Sequence, residues 1–85
     1  NLRGAILTDV DLSGMDLTGT VFERADLTEA TLTDVDLSGK DLRHTILTNT
    51  DFTGSNLNGV IFFETNLENA KGGIFLGCIG HHLCN

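Results

Sequence analysis

From Leu2 to Leu67 every fifth residue is leucine or phenylalanine. The fourteen positions are Leu2, Leu7, Leu12, Leu17, Phe22, Leu27, Leu32, Leu37, Leu42, Leu47, Phe52, Leu57, Phe62 and Leu67. A helix returns to one face near every 3.6 residues and a strand every two, so neither accommodates an unbroken period of five. A short, strict repeat marks a chain whose units stack and bury their apolar faces against one another.

The residues around each Leu/Phe centre define the unit. Two before it stand small or β-branched residues such as Ala5, Val10, Ala25, Ala30, Val35, Thr45, Thr50, Ser55 and Val60. Asp or Asn precedes it at nine places and Ser or Thr usually follows it. Two after it comes Gly at six places (Gly4, Gly14, Gly19, Gly39, Gly54 and Gly59), and Asn49 and Asn69 fill the same slot. A type II turn needs positive φ at its third residue, which Gly or Asn supplies at least steric cost. Leu2-Arg3-Gly4-Ala5 therefore reads as a corner that recurs every five residues. With near-right-angle corners, four repeats close a coil of 20 residues. Coils then stack at about 4.8 Å through backbone hydrogen bonds. The centre and the small residue two before it face inward, and the other three face outward. Leu2, Phe22, Leu42 and Phe62 form one inner column; Leu12, Leu32 and Phe52 form another. At roughly 2 kcal/mol per buried Leu or Phe, the centres supply the dominant favourable term before chain entropy is subtracted.

The unit Ala25-Asp26-Leu27-Thr28-Glu29 resembles the A-(D/N)-L-x-x pattern of the pentapeptide-repeat proteins, and the resemblance covers residues 1–70. It implies an all-β fold: a right-handed quadrilateral β-helix, here of about 3.5 coils with 20 residues in each. It transfers no general catalytic site. The expected organisation is a β-helix over 1–70 and a C-terminal capping tail over 71–85.

The period stops after Ala70. Lys71-Gly72-Gly73 breaks it and the apolar run from Ile74 to Gly80 is suited to fold over the open edge of the last coil. The N-terminal end has no comparable cap. The chain begins in register at Asn1 without an initiator Met, so it is expected to be a trimmed piece of a longer one. Cys78 and Cys84, the only cysteines, lie in the tail with His81 and His82. A disulfide closing that short loop, two free thiols packed in the cap, and a metal site are the alternatives. The C-x2-H-H-x-C spacing lacks the separated ligand pairs of common structural zinc sites, which favours the disulfide. No metal and no cofactor are expected.

Departures from the pattern mark candidate special positions. Met15 and Lys40 occupy inward small-residue slots. A buried unpaired ammonium is expensive, so Lys40 is expected to turn outward, find an acceptor or distort its corner. Ile6, Val21, Ile46 and Ile61 put apolar groups in outward slots, and Phe63 also points out; Ile61 and Phe63 form the candidate partner patch.

Composition bounds the function. The net charge of −7 opposes direct binding to nucleic acid or anionic membrane, and no apolar run reaches the length of a spanning helix. The Asp residues form outward columns rather than converging, no Ser or Thr is paired by sequence with a His base, and no phosphate loop is present. The expectation is a non-enzymatic structural or interaction module with an acidic surface. Its expected partner is an unidentified protein, with no direct nucleic acid, no membrane insertion, and self-association through the uncapped N-terminal end. The cysteine-containing tail resembles pentapeptide proteins of the thylakoid lumen and their cyanobacterial relatives, some with a C-terminal disulfide; this implies a thylakoid lumen or periplasm-like oxidising compartment, the cytoplasm being the other choice. The alternative implied by the family is DNA mimicry, since its fluoroquinolone-resistance members resemble duplex DNA and bind DNA gyrase. The charge suits that role, whereas three and a half coils span under about 20 Å.

Overall fold

A computed structural model describes residues 1–72 and residue 80. The chain turns at every fifth residue. At thirteen of the fourteen corners the amide three residues past the centre donates to the centre's carbonyl, from Ala5 to Leu2 at 3.0 Å through to Ala70 to Leu67 at 3.0 Å. The third residue of every corner has positive φ, which with that bond is the signature of a type II turn. Only six of these residues are glycine. Asp9, Arg24, Glu29, Asp34, His44, Asn49, Glu64 and Asn69 hold φ between 55° and 65°. Sequence pointed to Gly and Asn for this slot. The register of the stack imposes the same turn on Arg, Glu and His, whose local preference it overrides.

Successive coils are joined by a parallel ladder of 20-residue register. Among the described residues the amides of nine centres donate to a carbonyl nineteen residues on, as in Leu2 to Val21, Leu27 to Ile46 and Phe52 to Lys71, each at 2.8 Å. The residue before the centre donates back, as in Asp26 to Ala5 at 2.9 Å and Ile46 to Ala25 at 3.0 Å. Single-residue parallel bridges run Ile6–Asp26–Ile46–Asn66 along one side and Asp11–Thr31–Asp51–Lys71 along another. Asp36–Asn56 and Asp41–Ile61 mark the remaining two. Four sides and four corners per coil follow.

Twelve of the fourteen centres are buried; Leu2 and Leu7, in the first coil, are only partly so. Ala25, Ala30, Val35 and Val60 fill the slots beside them. The interior also holds Thr45, Thr50 and Thr65. Their hydroxyls donate to main-chain carbonyls: Thr50 to Leu27 at 2.9 Å, Thr65 to Leu42 at 3.0 Å, and Thr45 to Leu42 at 2.6 Å. Among the described residues no buried side-chain polar atom lacks a partner.

Several positions differ from expectation. Met15 was assigned an inward slot but is 51% exposed, since a flexible side chain of that length does not fit the space a small residue fills. Val21, Asp26, Thr31, Asp41, Asp51 and Ile61, read as outward, are half-buried because the ladder brings neighbours over them. Ile6 stays 80% exposed. Within the Ile61/Phe63 pair, Phe63 is 50% exposed, and the chain at Gly80 crosses its ring closely enough that a Cβ there would stand 2.7 Å from Cγ. Cys78, Cys84, His81, His82 and the rest of the 71–85 tail other than Lys71, Gly72 and Gly80 lie outside the described residues.

Candidate interaction surface

Reading charge against the 20-residue register separates the molecule into two sides. One side comprises residues 8–16, 28–36, 48–56 and 68–71 of successive coils. It carries Asp9, Asp11, Asp16, Glu29, Asp34, Asp36, Asp51 and Glu68 against the single cation Lys71. The other carries Arg3, Arg24, Lys40 and Arg43 together with Glu23, Asp26, Asp41 and Glu64. The three ion pairs among the described residues all lie there: Arg3–Glu23 at 3.3 Å, Arg43–Asp41 at 2.8 Å and His44–Glu64 at 3.2 Å. Negative charge is thus neutralised on one side and left uncompensated on the other. The outward Asp columns were visible in the sequence, but the exclusion of basic residues from them appears only when every charge is placed in register.

Backbone geometry fixes the acidic side chains. The carboxylates of Asp11, Asp16, Asp36 and Asp51 each accept the amide two residues on, at 2.9, 3.0, 3.0 and 2.9 Å. This is an Asx turn, in which the side chain mimics a backbone carbonyl at the entrance to the corner. The Ser or Thr at the same position adds its hydroxyl, as Ser38 does to Asp36 and Thr53 to Asp51, both at 2.6 Å. Those hydroxyl bonds, and then the amide bonds, hold the carboxyls of Asp11, Asp16, Asp36 and Asp51 below the ordinary carboxylate value. The D/N-x-S/T element of the repeat therefore does two jobs. It sets the turn, and it displays an ionised carboxylate in fixed orientation at a coil-to-coil interval.

These side chains line a surface rather than converge. Among the described residues no group of three or more His, Cys, Asp or Glu is placed to hold a metal ion. The interior is filled by the Leu and Phe columns.

A four-sided parallel solenoid with a corner every five residues and one acidic side defines the molecule's class. The family model for pentapeptide repeats matches residues 5–43, 25–62 and 36–71, with eight copies of the repeat, and the chain belongs to the pentapeptide-repeat family. No curated protein matches it by sequence. Among solved structures it is similar to a trypsin-treated form of QnrB1, a plasmid-mediated fluoroquinolone resistance protein, at 19% identity and a TM-score of 0.61. The match covers 96% of this chain and 41% of that one, so the chain spans less than half the length of this neighbour. Family and neighbour together imply the right-handed quadrilateral β-helix.

The same neighbour corrects the expected partner. An unidentified protein, no direct nucleic acid, no membrane insertion and self-association through the N-terminal end described a module without direction. The likeness to a plasmid-mediated fluoroquinolone resistance protein overturns that expectation as it stood.

Proposed function

We propose that this chain is a non-enzymatic interaction module whose acidic side occupies the DNA-binding surface of a DNA-handling enzyme, with gyrase as the first to test. The observation that carries the reading is the uncompensated row of carboxylates, four of them (Asp11, Asp16, Asp36 and Asp51) oriented by their own Asx turns, on a surface where Lys71 is the one opposing charge. A surface that binds duplex DNA is positively charged and gains from every phosphate it neutralises. Fixed carboxylates on a rigid solenoid present similar charge without the cost of ordering them on binding. The likeness to a fluoroquinolone resistance protein supports the choice of enzyme through the fold alone. A supercoiling assay tests it. Inhibition by excess protein that weakens with salt and with Asp34→Asn/Asp36→Asn supports the proposal, and undiminished supercoiling at high excess removes it.

A further inference from the structure

The ladder between coils is interrupted at one place. Among the described residues, the amides of Leu17, Gly19, Phe22, Asp36 and Asp41 have no hydrogen-bond partner. Their counterparts one coil up are all paired: Leu37 to Asn56 at 3.0 Å, Gly39 to Asn58 at 2.9 Å, Leu42 to Ile61 at 3.0 Å, Asn56 to Val35 at 3.1 Å and Ile61 to Lys40 at 2.9 Å. The bridges Asp36–Asn56 and Asp41–Ile61 have no equivalents between Asp16 and Asp36 or between Val21 and Asp41. The ladder is intact on either side of the gap, at Gly14 to Thr33 and, more weakly, at Arg24 to Arg43.

Lys40 sits in this gap. Its ammonium donates to the carbonyls of Leu17 at 2.8 Å and Thr20 at 2.9 Å, and lies 5.8 Å from the centre of the Phe22 ring. The first of these bonds is the one that Thr50 and Thr65 make from equivalent slots to the carbonyl 23 residues back. A threonine hydroxyl reaches it across the normal coil spacing, whereas a four-carbon side chain ending in an ammonium does not fit between coils about 4.8 Å apart. The second bond takes the Thr20 carbonyl, which by the pattern of Ile61 to Lys40 should accept the Asp41 amide. A cleft of about 300 Å3, lined by Thr20, Val21, Glu23, Lys40 and Asp41 among others, opens at the same place.

We infer that Lys40 is a built-in wedge that keeps two of the four sides of the first coil unzipped, so that residues 15–23, carrying the 1–4 segment bonded to Val21 and Glu23, can open away from the stack as a unit while the later coils stay closed. Amide hydrogen exchange, resolved by residue on the intact chain, tests this. In the wild-type protein Leu17, Phe22, Asp36 and Asp41 exchange at least about 100-fold faster than Leu37, Leu42, Asn56 and Ile61. In Lys40→Thr, which installs the residue found in the neighbouring slots, the gap zips and that difference falls to within about tenfold. Lys40→Val, matching Val60 one coil up, is the second variant. Wild-type amides as slow as their counterparts, or variants in which they remain fast, overturn the inference. So does failure of both variants to fold, because a wedge is dispensable for folding.

Discussion

The backbone amide of Val35 donates to the hydroxyl of Ser55, one coil above it, at 2.9 Å. Everywhere else in the solenoid the amide at this point closes its own corner by bonding the centre three residues back. Here the Ser55 hydroxyl stands between the two groups and passes its own hydrogen to the Leu32 carbonyl. The corner from Leu32 to Val35 is therefore closed through a side chain from the next coil, which ties local turn formation to stacking.

Removing that hydroxyl has a defined cost. Ser55→Ala leaves the Val35 amide and a half-buried carbonyl to find each other again or go unpaired. We expect a loss of about 1–2 kcal/mol, read as a lower urea midpoint with an unchanged slope. An unchanged midpoint means the corner closes directly at no cost and the bridge is incidental.

Truncations of the centres should be graded by depth in the stack rather than by residue type. Phe52 has no exposed surface, and Phe52→Ala costs about 3–5 kcal/mol, a large share of the roughly 5–15 kcal/mol available to a domain. Leu2 is half-buried in the first coil, and Leu2→Ala costs roughly 1 kcal/mol. Equal losses in denaturant titrations would contradict a core built from stacked layers.

The contrast explains what could be read from the sequence. The five-residue stripe and the Gly and Asn slot specify corners, inside and outside, because each expresses a steric requirement of one residue at one place. Lys40 was readable as a misfit that would turn outward, find an acceptor or distort its corner; it finds two acceptors while its corner closes normally, Lys40 to Leu37 at 3.0 Å, and which carbonyls it takes depends on the coil below. The turn at Arg24 and Glu64 was not readable, since nothing local asks for positive φ there and only the register supplies it. Nor were the roles of Thr50, Ser55 and Thr65 as donors to carbonyls 23 residues back, which look in sequence like tolerated small residues. The charge segregation needed the register as well, since consecutive residues hide what coils align.

Acid should destabilise the solenoid through its Asx turns. Asp11, Asp16, Asp26, Asp36 and Asp51 are all held below the ordinary value of 3.8, chiefly by the hydroxyl two residues on. The folded chain thus binds these protons less readily than the unfolded chain. Their stabilisation is complete above the unfolded value and is lost as pH falls through the depressed folded values. The urea midpoint should hold level at neutral pH and then drop as these groups titrate. Asp26→Asn should keep the amide bond, as Asn56 does with Asn58 at 2.9 Å, and flatten the acid limb. A variant with the full acid dependence would remove Asp26 from the cause.

The forced corners offer the opposite kind of test. Arg24 holds φ at 65°, a conformation that costs an L-residue about 1–2 kcal/mol relative to glycine. Arg24→Gly relieves that strain and adds back part of it as unfolded-chain entropy, so a net gain of about 0.5–1 kcal/mol is expected. Gly54 is the mirror case. It holds φ at 78°, and a Cβ there would stand 2.2 Å from Oδ1 of Asp34. Gly54→Ala must both adopt the strained turn and displace a carboxylate of the acidic side, at a cost of about 1–2 kcal/mol. Thermal melts of the two variants should move in opposite directions. If Arg24→Gly destabilises, the Arg side chain contributes packing that outweighs its backbone strain, and the register then tolerates non-glycine corners because their side chains, and not only the ladder, hold them in place.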